Sequence, residues 1–313
     1  MDVVIQPLRE EHIDEADRIA RLAFGTFIGL PDPMDFMRDT PYIRTRWTAD
    51  PSATLGAFVD GELVGSNCIA NWGSVGLLGP LTVRPDLWNA GIARRLLEPT
   101  VAQFERWGTK HAGLFTFPHS TKHVHLYQAF GFWPRFLTAL MSRPVAERAT
   151  PVEWSSYAGL AENERAACLD ACRELTDAVY PGLDLRREIE AAHAHGLGDT
   201  LVLADGSGLA GLAVCHLGAG SEAGTGRCYV KFGAVRPGAN AQRAFARLLA
   251  AVEHLAHRRG AERIVAGVNT ACDAAYRAML AGGFRTDLLG IAMDRPNEPG
   301  YHRPDVYALD DWR

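Results

Sequence analysis

A chain of 313 residues, at about 150 per domain, is long enough for two domains that each bury a core. It is 47% hydrophobic and 22% charged, with 32 basic against 37 acidic residues and a net charge of −5. That balance argues against nucleic acid or an anionic membrane surface as partner, since both select clustered positive charge. No apolar run of about 18 residues occurs, so no membrane span is expected. Residues 1–7 lack the basic-then-apolar layout of a secretory leader. Cys68, Cys168, Cys172, Cys215, Cys228 and Cys272 form no C-x-x-C pair and read as thiols of a reducing compartment, so a cytoplasmic location is expected. Arginine outnumbers lysine along the whole chain, where only Lys110, Lys122 and Lys231 occur, which reads as codon bias rather than phosphate recognition.

Residues 3–9 alternate as a strand, and apolar positions at three-and-four spacing predict a helix from His12 to Phe24. After the Gly29–Pro33 turn a second helix is predicted near Asp35–Trp47. Asp60-Gly61 separates strands Ala53–Val59 and Leu63–Ala70 as a hairpin. Val75–Val83 is a further strand, Ile92–Trp107 a long helix, Ala112–Phe117 a strand, His123–Phe130 a short helix and Phe132–Met141 a strand.

A break around Pro144–Pro151 divides the chain into residues 1–145 and 152–313. The second part repeats the plan, with a hairpin at Asp205-Gly206, a strand Cys228–Val235, a helix Ala244–Arg258, a strand Glu262–Val268 and a helix Ala274–Ala281. Val83-Arg84-Pro85 recurs at Val235-Arg236-Pro237, Leu96-Leu97 at Leu248-Leu249, and Gly131-Phe132 at Gly283-Phe284, each 152 residues later. Three matches in one register predict a tandem pair of α/β domains.

Chemistry concentrates between Leu81 and Leu97, where a strand ends, a loop containing Gly91 follows and a helix begins. A helix N-terminus aims unpaired N–H groups and the positive end of its dipole at one spot. Gly91 and Ala93 are small enough for a diphosphate to approach the backbone, and Arg94 or Arg95 adds charge. A plain strand-to-helix turn with glycine as punctuation is the competing reading.

This segment resembles motif A of the GCN5-related N-acetyltransferases, whose pyrophosphate loop Q/R-x-x-G-x-G/A falls on Trp88-Asn89-Ala90-Gly91-Ile92-Ala93, with Trp88 departing from the pattern. The block Ser120 to Phe132 resembles motif B, with Leu126-Tyr127 and Gly131-Phe132 in place and Ser120 where asparagine is usual. The resemblance covers most of residues 3–143. It implies a mixed, mostly antiparallel sheet flanked by helices, whose fourth and fifth strands splay around the pantetheine arm of acetyl-CoA. It also implies that the backbone of Leu81 and Val83, flanking Thr82, binds that arm and polarises the thioester carbonyl. Tyr127 would protonate the departing thiolate, since a phenol holds its proton at neutral pH.

No carboxylate lies on Leu77–Val83, so His119 is the candidate base, with water as the alternative. His119, His123 and His125 lack a partnering acid or cysteine at ligand spacing, and no metal is expected. In the repeat, Gly91 falls on Arg243, Ala93 on Phe245 and Tyr127 on Met279, so the second domain is expected to keep the fold without the cofactor chemistry. The tail from Tyr301 to Arg313 is expected to dock on the body. The resulting expectation is transfer of an acetyl group to a primary amine, on a small molecule rather than a protein. A longer acyl-CoA, or acyl-CoA binding without catalysis, stays open, and neither acceptor nor oligomeric state is encoded readably.

Overall fold

The computed structural model describes residues 2–147, 152–206 and 208–313. In chain order the elements of the first half are β1 (Val3–Pro7), α1 (Ile13–Ile28), α2 (Tyr42–Ala49), β2 (Thr54–Val59), β3 (Glu62–Trp72), β4 (Val75–Val83), α3 (Ile92–Arg106), β5 (His111–Thr116), α4 (Thr121–Gln128) and β6 (Trp133–Pro144). Those of the second half are β7 (Ser155–Ser156), α5 (Glu162–Val179), α6 (Arg186–Ala194), β8 (Gly198–Asp205), β9 (Gly208–Gly218), β10 (Gly224–Val235), α7 (Ala241–Arg258), β11 (Arg263–Asn269), α8 (Asp273–Ala281), β12 (Arg285–Arg295) and β13 (Ala308–Leu309). No helix among the described residues is long and apolar enough to cross a membrane.

The helix expected from His12 to Phe24 continues to Ile28 and stops at Gly29, whose φ of +74° supplies the left-handed cap. The helix expected near Asp35–Trp47 is a correction. A single 3-10 turn occupies Pro33–Asp35, and α2 begins only after Pro41. Proline disfavours helical geometry at the residue before it and lacks the N–H a continuing helix needs, so the helix starts where Pro41 ends. Within the expected break at Pro144–Pro151, residues 148–151 lie outside the described residues.

Among the described residues all strands form one sheet, in the order β1-β2-β3-β4-β5-β12-β6-β11-β10-β9-β8-β7, with β13 against β10. The sixth strand of each half, β6 and β12, therefore pairs with the fifth strand of the other. β12 runs antiparallel to β5, with Ile291 opposite Thr116 and Arg295 opposite Ala112. β6 runs antiparallel to β11, with Thr138 opposite Asn269, and β6 and β12 pair with each other at the centre. A buried hydrogen bond of 2.9 Å between His111 of β5 and Asp294 of β12 clamps this exchange. One apolar core follows the sheet across both halves, joining Trp72, Val75 and Leu77 to Met141, Phe232 and Leu248.

β5 and β11 start 152 residues apart, whereas β3 and β9 end 146 residues apart, at Trp72 and Gly218. Six extra residues thus enter around the β9–β10 connection, and they carry Glu222 into a buried charge cluster between the halves. Its carboxylate accepts Arg46 Nε and Nη2 at 3.2 Å each and Lys231 Nζ at 2.7 Å. Lys231 also meets Glu188 at 3.1 Å, and Glu188 accepts the Trp72 indole N–H at 2.9 Å. Burial opposes charge at Glu222, but Arg46 and Lys231 outweigh it and hold its carboxyl well below the usual range.

His216 sits beside this cluster with its Nδ1 accepting the Glu222 N–H at 3.3 Å, which requires a neutral nitrogen. Burial first, and Lys231 second, push its pKa down to about 4. The unfolded chain then binds this proton more readily than the folded one. His216 contributes on the order of 3 kcal/mol that is fully present above about pH 6.5 and lost progressively as pH falls toward 4. Urea denaturation at pH 7 and pH 4.5 should show that loss, and His216→Asn should reduce the difference between the two pH values.

Candidate active site

β4 and β5 pair in parallel only where Val75–Leu77 face His111–Gly113. Beyond Leu77 they diverge, and a cleft of about 850 Å³ opens between them. The register of β4 against β3 slips between Asn67 and Ile69, which places a bulge at Gly79-Pro80. The Arg84 N–H donates to Val64 O at 2.8 Å. By the alternation of an antiparallel ladder, the N–H groups of Leu81 and Val83 then point away from β3, toward the open edge. This is the edge expected from the sequence.

At the mouth of the cleft, Asn89 and Gly91 adopt φ of +69° and +79°, and α3 begins at Ile92. The N–H groups of Gly91, Ile92, Ala93 and Arg94 donate to nothing among the described residues; the first to do so is Arg95, to Gly91 O at 3.2 Å. A Cβ built on Gly91 would meet no atom within 4 Å, so the space above these donors is open. The group that fits is an anion, held by several aligned N–H groups at a helix start. Trp88, at the position that departs from the family pattern, spends its indole N–H on Val83 O at 2.7 Å and lies 5.8 Å from the Lys122 ammonium. That bond ties the loop to β4.

Tyr127 occupies the last turn of α4 and is buried, yet it lines the cleft, and its hydroxyl makes no hydrogen bond to the described residues. Burial raises its proton affinity, so it stays protonated at neutral pH. Ser120, at the start of α4, lines the cleft as well. Of the residues expected from the sequence, Leu81, Thr82, Val83, Trp88, Asn89, Gly91, Ile92, Ala93 and Arg94 also line it. Ala90 does not, and its N–H is used by Leu87 O at 3.3 Å. His119 is exposed and outside the lining, stacked on Phe27 with ring centroids 5.9 Å apart. His123 lines the cleft instead, with its pKa lowered by burial and then by Lys122.

Sequence reasoning missed the far wall. One face of α1 supplies Asp17, Arg21, Phe24 and Phe27, a spacing that was readable as a second helix face. Leu288 of β12 and the tail residues Trp312 and Arg313 also line the cleft. Only the strand exchange brings them there. Trp312 lies flat on β5 because Gly113 has no side chain; a Cβ there would come within 2.3 Å of the indole.

The corresponding cleft of the second half is filled by the chain itself. β13 pairs with Gly233 and Ala234 of β10, and the Val235 N–H donates to Tyr307 O at 3.3 Å. These positions stand 152 residues after Leu81, Thr82 and Val83. α7 begins at Ala241, ahead of the position matching Ile92, and the Ala244 N–H is already taken by Asn240 O at 2.9 Å. Phe245 is fully buried, 5.1 Å from the Tyr307 ring, and Met279 is buried at the place of Tyr127. The tail thus docks, as expected, but threads the second cleft before reaching the first.

A splayed strand pair, a run of unpaired amides at a helix start and a buried phenol thus meet on one cleft. Residues 17–132 match the family model described as acetyltransferase (GNAT) family. Across 99% of its length the chain superimposes, with a TM-score of 0.68 and 16% identity, on 95% of a Pyrococcus horikoshii protein provisionally described as an acetyltransferase. It superimposes over 94% of its length, with a TM-score of 0.58 and 14% identity, on 95% of the GCN5-related N-acetyltransferase from Sphaerobacter thermophilus. At these identities the likeness is one of fold. No curated protein matches the sequence.

Gly91→Val would force a β-branched residue to a left-handed φ and hang its side chain over the unpaired N–H groups. Calorimetry should show acetyl-CoA affinity falling by roughly tenfold or more.

Proposed function

We propose that the protein transfers an acetyl group from acetyl-CoA to a primary amine by direct attack, within the cleft of the first half. The observation that carries this reading is that the unpaired N–H groups at Gly91–Arg94 and the Tyr127 side chain face one cleft between β4 and β5. The N–H groups would hold the diphosphate, and the open β4 edge at Leu81 and Val83 would hold the pantetheine amides and draw charge onto the thioester oxygen. The amine lone pair attacks the thioester carbon, the C–S bond breaks, and the Tyr127 hydroxyl gives its proton to the departing sulfur. His119 stands outside the cleft. Removal of the amine's proton therefore falls to another group within the cleft or to water.

The second half serves in this reading as a wall and a support. Its β10 edge is occupied by β13, which supports a single cofactor site per chain. Leu288, Trp312 and Arg313 narrow the acceptor end, which suits a small amine better than a protein segment.

Calorimetric titration with acetyl-CoA should give one site per chain; two sites would overturn the assignment of the second half, and none would overturn the enzyme reading. Tyr127→Phe should leave that affinity intact while lowering kcat for an accepted amine by roughly a hundredfold, the usual scale of a lost general acid. Unchanged turnover would remove Tyr127 from the reaction.

A further inference from the structure

The acceptor end of the cleft is apolar, and its charges are unequally committed. Phe24 of α1 stacks on Phe36 with ring centroids 5.1 Å apart, and Phe27 packs against Phe117 at 5.2 Å. Arg21 donates to Phe36 O at 2.9 Å. Arg313 pairs with Asp311 at 3.0 Å and stacks over Tyr229. Both guanidinium groups are thus engaged by the protein itself.

Among the side chains that line the cleft, Asp17 is the one carboxylate. It projects from α1 on the same face as Arg21 and Phe24. Its Oδ1 accepts the Ile43 N–H at 3.0 Å, near the start of α2. The Arg44 N–H is a second backbone partner, and since a carboxylate accepts about four hydrogen bonds, capacity remains beyond these two. Burying a carboxylate is costly unless cations lie near it, and Arg21 and Arg44 already do.

We propose that Asp17 selects the acceptor by charge: the acceptor enters as a cationic primary amine with an aromatic or aliphatic body, its ammonium on Asp17 and its body against Phe24, Phe27 and Trp312. This deepens the acetyltransferase reading and rests on it. Burial raises the proton affinity of Asp17, against the pull of Arg21 and Arg44. An arriving ammonium would favour the charged form.

A purely structural role for Asp17 is separable, because Asp17→Asn keeps an oxygen for the Ile43 N–H and removes only the charge. Steady-state acetylation of 2-phenylethylamine should show KM at least tenfold higher in Asp17→Asn. kcat should change much less, and acetyl-CoA affinity and Tm should stay at their wild-type values. Asp17→Glu should recover part of the loss. 3-Phenylpropionate, the same body with a negative end, should bind the wild-type protein at least tenfold more weakly than the amine. Equal KM in wild type and Asp17→Asn, equal binding of the acid and the amine, or no turnover of the amine by a protein that binds acetyl-CoA would each overturn the proposal. Failure of acetyl-CoA to bind would instead overturn the acetyltransferase reading, and the proposal with it.

Discussion

The pairing of β6 with β12 at the centre of the sheet is the constraint from which the rest follows. Each is the sixth strand of its half and lies beside the fifth strand of the other. Pulling the halves apart would expose a β5 edge and a β11 edge at once, and unpaired buried N–H and C=O groups are among the costliest features a fold can carry. The His111–Asp294 hydrogen bond adds a buried polar contact that only the exchanged arrangement satisfies. The halves are therefore one folding object in physical terms, with a continuous core running from Trp72 to Leu248.

That shared frame makes an asymmetry visible. Both halves build a parallel pair that splays, β4 with β5 and β10 with β11. A splayed pair leaves backbone donors on one edge that must find partners. In the second half they find β13, while Phe245 and the early start of α7 fill the place of the cradle. In the first half the edge at Leu81 and Val83 and the start of α3 stay open. The same backbone plan thus yields a packed wall on one side and a receptive cleft on the other, and the tail that closes the first continues to line the second.

The buried charges belong to this coupling. Arg46 reaches Glu222 from the six-residue insertion, the Gly79 carbonyl at the β4 bulge at 2.9 Å, and the Arg313 carbonyl at the end of the tail. One guanidinium with five fixed donors can serve three such acceptors where a lysine could not. Its burial is tolerable because every charge in the cluster has an opposite neighbour: Glu222 with Arg46 and Lys231, and Lys231 with Glu188. The bulge, the tail and the second half are held in one geometry beside the cleft.

Much of this was readable from local pattern. The 152-residue register, the hairpins at Asp60-Gly61 and Asp205-Gly206, the loop around Gly91 and the position of Tyr127 each depend on neighbours in sequence, where period and glycine geometry act directly. The α1 face bearing Asp17 was also within reach, since helical spacing alone places it with Arg21 and Phe24. His119 shows the limit: loop spacing puts it next to the fifth strand, but its exposure and its stacking on Phe27 are tertiary facts that no local pattern gives.

The sequence by itself determined the 152-residue repeat and the glycine loop at the start of α3, because these follow from periodicities and backbone preferences of a few consecutive residues, while the splayed sheet came from the family resemblance of the two motifs. Only the tertiary structure decided that β6 and β12 trade places, that β13 occupies the second cleft, and that Leu288 and Trp312 wall the first. Strand partners separated by more than a hundred residues are chosen by which edges remain unsatisfied once everything else has packed, and no local pattern carries that information.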